Sequence, residues 1–560
     1  MNCYSCNSPI SVSAFEKSLR KKLICPVSGA AVAQANPKLC PQCRAQRIFA
    51  FRNERNVYKS HCKNCNKSVV SLFHPDSELA LWCPQCWGSD KWNALDYGME
   101  IDWNRSFMEQ VNELFQKVPQ RHTFLSNVEN CDYCSFVDGS KNSYLTFLCY
   151  GSSDCLYSYD IKGSRDIVDS YKIVSSELIY ESAHCSGCYN LKYSDHCSGC
   201  NSSAFLSHCI GCQDCFGCCN LRNKQYYVFN KPLSKEDYEQ FIASADLGSF
   251  ESVEKWRFKF EMFRQKMPLP PDHNSNCENV KGDYLVNCKN CIDCFSLSNS
   301  VDCQDCHRFW DLTECSATAT GKTEIGLENM SGLPGYFAVA TAYCYQSSYL
   351  TLCKDVWYSK HCLGSVGVRN GEYIILNKAY SKEEYAELSK RILFDLAAQG
   401  ELGEFFPIEM TPFPYNHTLS QELFPLTKSE ALSKGLKWQD EPDVIAAPEQ
   451  KWPEIPDSIV EFTALDEPLI CLRSNRAYQI IPQELMFYQK LNIPIPRLAP
   501  LTRMKDMIRF QPVYELRVNN CARSSFDGVE CQQTFSNSHV PALEEQKAVC
   551  SGCYDELIDQ

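Results

Sequence analysis

Cys-x-x-Cys pairs mark both ends of this 560-residue chain: Cys3/Cys6, Cys40/Cys43, Cys62/Cys65 and Cys83/Cys86 at the start, and Cys550/Cys553 near the end, with Cys521 and Cys531 upstream. Two residues between sulfurs let both reach one ion from a tight turn, and two such pairs supply the four thiolates of a tetrahedral structural zinc site. The spacing predicts Cys3, Cys6, Cys40 and Cys43 around one ion and Cys62, Cys65, Cys83 and Cys86 around a second. Pro41 and Pro84 fix a backbone torsion within their knuckles. Cys25 is left over. Cys521, Cys531, Cys550 and Cys553 make a third set, with His539 as a lower-ranked substitute ligand. The head lacks the closely spaced Cys runs usual for iron–sulfur clusters, so the expected cofactor is Zn2+, about three structural ions per chain.

These residues also carry a resemblance. Leu39-Cys-Pro-Gln-Cys-Arg-Ala-Gln-Arg47, Phe51-Arg-Asn-Glu-Arg55, Cys62-x-x-Cys65, Cys83-x-x-Cys-Trp87 and Ser89-Asp-Lys-Trp92, with Tyr97-Gly98, Phe107, Val118-Pro119, Pro414-Tyr-Asn416 and Phe424-Pro-Leu-Thr-Lys428, resemble an uncharacterised family of large Cys-rich zinc-ribbon proteins known mainly from candidate-phylum bacteria. The resemblance spans nearly the whole chain and implies an architecture but no reaction. In the family a Cys-Pro-x-Cys-Arg knuckle follows a Pro-x-Pro-Arg segment. Here Pro494-Ile-Pro-Arg497 runs into Leu-Ala-Pro-Leu-Thr-Arg503, and the earlier pair reads Cys471-Leu-Arg-Ser474. The comparison implies a zinc site that has been lost.

The elements between the two ends are repetitive. His184-Cys-Ser-Gly-Cys188, His196-Cys-Ser-Gly-Cys200 and His208-Cys-Ile-Gly-Cys212 recur every 12 residues, too short for a helix pair but enough for short strands and tight turns. A longer repeat, offset by 147 positions, relates Cys215-Phe-Gly217 and Tyr226–Lys231 to Cys362-Leu-Gly364 and Tyr373–Lys378. The fold class that follows is mainly β: a two-lobed, β-helix-like solenoid over about 122–233 and 272–380, with zinc ribbons at both ends and short capping helices. Ser234 and Ser381, each with an acid three residues on, are the expected N-caps of those helices.

Inward Cys of such a solenoid could fill a narrow core, pair as disulfides or hold metal; filling is the first reading. If Cys185, Cys197 and Cys209 face in, strand alternation puts His184, His196 and His208 in an outward ladder, either solvated or able to ligate a surface metal. The expected domains are a ribbon head (1–100), two lobes with their helices (122–270 and 271–398), an acidic Pro-rich connector (399–469) with a helix near Lys428–Leu436, and a degenerate ribbon (470–560).

Charge is uneven. Residues 1–70 hold 12 Lys or Arg against Glu16 and Glu54, leaving the rest of a chain of net −13 with about −23. Arg44, Arg47, Arg52, Arg55, Lys59, Lys63 and Lys67, interleaved with Phe49, Phe51 and Tyr58, suit phosphates and stacked bases. No phosphate-loop, dinucleotide, nucleophile-elbow or His-Glu-x-x-His motif occurs, and every predicted zinc site is closed by four protein ligands. The leading reading is therefore a non-catalytic interaction protein with a protein partner; nucleic-acid binding is the runner-up, and an enzyme with an unrecognised Cys/His site comes last. The opening Met-Asn-Cys-Tyr-Ser-Cys has no basic and apolar leader pattern and no apolar run is long enough to span a membrane, so the expected location is the reducing cytoplasm, with oligomeric state open.

Overall fold

Over residues 125–232 and 281–379 the chain is a succession of short strands that return to the same place at a nearly fixed interval, with the helices Lys235–Ala245 and Phe250–Arg264 between the two runs. The computed structural model describes residues 1–319, 321–440, 454–462, 468–538 and 546–558. In the first half, successive strands alternate between a ten-stranded and a six-stranded sheet. Partners are parallel and 12 residues apart, as in Ser153↔Arg165 and Tyr159↔Tyr171. The second half repeats this parallel pairing in an eleven-stranded sheet, with Cys291↔Cys303 and Cys303↔Cys315 in register and a step of 11 at Thr313↔Glu324.

A period of three lies inside the period of 12. Along Tyr157, Asp160, Gly163, Asp166, Asp169 and Lys172 every third residue has a φ between +49° and +59°. The left-handed region disfavours a residue with a Cβ by roughly 1–2 kcal/mol, which is why Asn, Asp and Gly recur at these positions. The residue after each corner turns inward: Ser158, Ile161, Ser164, Ile167, Ser170 and Ile173 are all buried. Stacked at 12-residue intervals, these side chains form columns. Inner serines are fully satisfied, as Ser164 shows: its hydroxyl donates to the Lys162 carbonyl at 2.8 Å and accepts the Ser176 N–H at 3.1 Å. Ile173, with no exposed surface, sits in a column between Ile161 and Cys185. Ile173→Ala is expected to cost about 2–5 kcal/mol and Ile173→Val about 0.5–1.5 kcal/mol, read as shifts of the denaturation midpoint; equal costs would contradict a packed column.

Helices close each half where expected. Ser234 accepts the Asp237 N–H at 3.0 Å to start Lys235–Ala245, and Ser381 and Glu384 cap Lys382–Ala398 reciprocally. The 399–440 part of the expected connector is packed against the rest of the chain. It carries Lys428–Ser433, capped by Thr427, and buries Phe405, Phe406, Phe413 and Tyr415. Its Leu419 N–H donates to the Arg52 carbonyl at 2.9 Å and its Thr411 hydroxyl to the Ala50 carbonyl at 2.6 Å. Proline here shapes a segment whose aromatics pack against the head. Residues 441–453 and 463–467 of the expected connector lie outside the described residues. Among the described residues no helix is long and apolar enough to cross a membrane.

Candidate metal centres

Each predicted Cys set comes together: in all three, the four sulfurs lie within 4.8 Å of one another. Local backbone chemistry builds them. The first knuckles are turns in which Cys3 and Cys62 accept the N–H of Asn7 and Asn66 at 2.9 and 2.8 Å, with those Asn at φ +60° and +59°. The second knuckles are helix starts, with Cys40 and Cys83 as N-caps and Pro41 and Pro84 in the first turn, where proline has no hydrogen bond to lose. The Cys40 N–H then donates to Cys3 Sγ at 3.3 Å and the Cys83 N–H to Cys62 Sγ at 3.2 Å. In the tail Cys550 does the same to Cys521, at 3.3 Å. Cys521 and Cys531 thus match a knuckle in position without its spacing.

The sulfur separations suit an ion. Cys6–Cys40, Cys65–Cys83 and Cys531–Cys550 stand at 3.7, 3.8 and 3.9 Å, whereas the edge of a tetrahedron with metal–sulfur bonds of about 2.3 Å is about 3.8 Å. Burial works against ionisation of Cys62, but N–H donors from Cys83, Cys65 and Asn64 outweigh it and bring its thiol down to about 6. At Cys6 the Ser8 hydroxyl leads, again to about 6. Burial pushes Cys83 up to about 12. Each centre therefore sets a thiol whose pKa is lowered beside others whose pKa is raised and that a metal cation would have to deprotonate. His539 lies outside the described residues.

Two more turns have the knuckle backbone without its ligands. Cys471 accepts the Asn475 N–H at 3.0 Å, with Asn475 at φ +51°, and its sulfur faces Thr502 Oγ1 at 3.7 Å. Ala499 and Pro500 open the facing helix as Cys40 and Pro41 do. Ser474, Ala499 and Thr502 stand at the other three ligand positions, so this centre keeps its shape with one sulfur. Cys25 repeats the turn, accepting the Gly29 N–H at 2.9 Å with Gly29 at φ +68° and Ser28 at the second ligand position. Sequence reasoning left Cys25 unexplained; the Cys-Pro-x-Ser-Gly run was the available signal.

The Cys-x-x-Cys pairs of the middle have another origin. Cys185, Cys188, Cys197, Cys200, Cys209 and Cys212 occupy the inward positions of the three-residue period. Their sulfurs donate to carbonyls two residues back, as Cys185 to Ala183 at 3.3 Å. A spacing of three there is the geometry of a coil corner, and the thiol replaces the inner Ser or Ile.

The basic residues of the head are a correction. Arg44, 1% exposed, bonds Glu16 at 2.8 Å and Asp305 at 3.3 Å. Arg47 pairs with Glu328 and Glu404, Arg52 with Glu54, and Arg55 with Glu422. Phe49 and Phe51 are fully buried, and Tyr58 packs on His74 and His417. These four arginines and two phenylalanines are unavailable to phosphates or bases because carboxylates of the head, Glu16 and Glu54, and of later segments, Asp305, Glu328, Glu404 and Glu422, take up the cations, and the rings are buried. Lys59, Lys63 and Lys67 remain exposed, Lys63 with its ammonium on the Ser77 and Glu78 carbonyls at 3.2 Å. Compared with known proteins, the chain matches no family model and no curated protein.

Proposed function

We propose that this protein is a non-catalytic scaffold, held together by three Cys-bound zinc ions, in which a two-lobed β-solenoid presents its sides to a protein partner. The 12-residue parallel register, the inward columns and the 147-residue repeat support the solenoid. Each Cys centre is closed by four protein sulfurs, the arrangement of structural rather than catalytic zinc. The observation that carries this reading over nucleic-acid binding is Arg44, the centre of the basic head, buried between Glu16 and Asp305. The ribbons in this reading lock the lobes, and a reducing compartment keeps the thiols free.

Elemental analysis of protein purified anaerobically without added metal is expected to give three thiolate-bound zinc ions and little iron. Iron near four per chain, or no zinc, would refute the assignment. Nucleic-acid binding is tested on the full chain at about 50 mM salt, where phosphate contacts are strong. No binding is expected. Binding whose salt slope falls by about 0.9 for each of Lys59, Lys63 and Lys67 replaced would move the function to those lysines.

A further inference from the structure

We infer that a fourth metal site, built from imidazoles alone, lies where the two lobes meet: His196 and His208 of the first lobe and His273 at the start of the second bind one divalent first-row transition ion of the zinc type. One ring nitrogen from each of the three lies within 4.8 Å of the others. His208 Nε2 and His273 Nε2 stand 3.3 Å apart, the edge of a tetrahedron with metal–nitrogen bonds of about 2.0–2.1 Å. Three imidazoles without thiolate suit zinc, cobalt, nickel or copper over the hard ions.

The surroundings are those of held ligands. His196 Nδ1 is 2.9 Å from Asp195 Oδ1, His273 Nδ1 is 3.2 Å from Asp283 Oδ1, and His208 Nδ1 is 3.0 Å from the Ser207 hydroxyl. A partner on Nδ1 fixes ring orientation and directs the Nε2 lone pair to the ion, as outer partners of metal-bound histidines do. Those carboxylates are anchored in turn: Arg264 and Ser207 bind Asp195 at 2.9 and 2.8 Å, and Ser538 binds Asp283 at 2.9 Å. The Tyr284 hydroxyl, 2.9 Å from His196 Nε2, is an adjacent oxygen. The outward ladder expected from the sequence is thus outward from its own lobe but covered by the other. His184, in the same stack at 4.6 Å from His196, is not part of the site: its Nε2 is taken by the Phe510 carbonyl at 2.8 Å.

This site is independent of the Cys centres, and the test separates them. Full-length protein is incubated with excess Zn2+ or Co2+, desalted and analysed for metal. Four ions per chain are expected. His208→Phe and His273→Phe, which keep a ring in the stack, are each expected to hold three, and His184→Phe four. In the cobalt protein the ion lost from the His variants carries no thiolate-to-metal charge-transfer absorption, whereas Cys43→Ser reduces that absorption and leaves the imidazole-bound ion. Retention of the three Cys-bound ions shows that the His variants are folded. Three ions in the wild type after metal excess, the mark of a hydrogen-bonded imidazole cluster with no ion, would overturn the site, as would a fourth ion retained in both Phe variants.

Discussion

If the Cys62, Cys65, Cys83 and Cys86 cluster holds zinc as proposed, chelation, or replacing Cys83 by Ser, is expected to unfold the segment around it and to loosen the neighbouring strands with it. Structural zinc contributes about 10–16 kcal/mol of apparent binding free energy in ribbon-sized peptides, as much as the roughly 5–15 kcal/mol by which a typical domain is stable. On sequence grounds the ribbon is a separable module. Its Trp87, however, is fully buried, donating from the indole N–H to the Pro119 carbonyl at 3.0 Å, with its ring 4.8 Å from Trp357. Arg121 lies over both rings, at 4.9 and 4.4 Å, and Arg369 binds the Ser89 carbonyl at 2.9 Å. Amide hydrogen exchange is therefore expected to rise in Tyr345–Thr351 and Lys360–Leu363 as well as around Cys62 and Cys83. Exchange confined to the ribbon would show that the two fold independently.

Arg44→Ala should cost about 3–5 kcal/mol, the range for breaking a buried ion pair from one side, because Glu16 and Asp305 stay buried without their shared cation. Arg20 still reaches Glu16 at 2.8 Å, but none of its bonds goes to Asp305. Arg44→Lys should fall between, since an ammonium keeps the charge and loses the two-pronged fork. The pH dependence has a definite sign. Glu16 lies below the usual carboxylate range because, against burial, Arg44 and Arg20 hold its charge; its contribution is present at neutral pH and lost as pH falls through that lowered value. Burial pushes Asp305 up to about 7, only partly offset by Arg44, so its contribution is full below about 4 and fades as pH rises towards 7. Without Arg44 both carboxyls lose a cation that favours their charged forms, so the deficit against wild type should widen as pH rises towards and past 7. A cost under about 1 kcal/mol, flat with pH, would mean that water reaches the site.

Several features were legible because they are local. A zinc knuckle needs two sulfurs three positions apart on a tight turn, and a helix start needs an oxygen beside its first free N–H groups. Cys40-Pro-Gln-Cys43, Cys83-Pro-Gln-Cys86 and Ser381-x-x-Glu384 state those requirements within four residues. The 12-residue beat was legible because each turn of the chain meets the same neighbours above and below. Its three-residue substructure was not, since corners accept Tyr157, Lys172 or His184 as well as Asn and Gly, and the parallel ladder, not the residue type, holds them there. The same spacing of three consequently reads alike in Cys62/Cys65 and Cys185/Cys188, although one pair faces a metal-sized gap and the other a carbonyl-lined column.

What the sequence determined by itself is the Cys knuckles, the caps and the repeat length, all fixed by chemistry between near neighbours. Which charges meet was decided only by tertiary structure. The surplus of positive charge in residues 1–70 reads as a surface for phosphates, yet Arg44 finds Asp305 from 261 positions away, and Arg47 finds Glu328 and Glu404. A count along the chain reports the charge on a segment but not the dielectric around it, and a buried cation is held by whichever carboxylate the fold brings within reach. His208 and His273, 65 positions apart, meet for the same reason: the first run of strands packs against the second, as Tyr150 does on Trp310, and no local rule places one ring against the other.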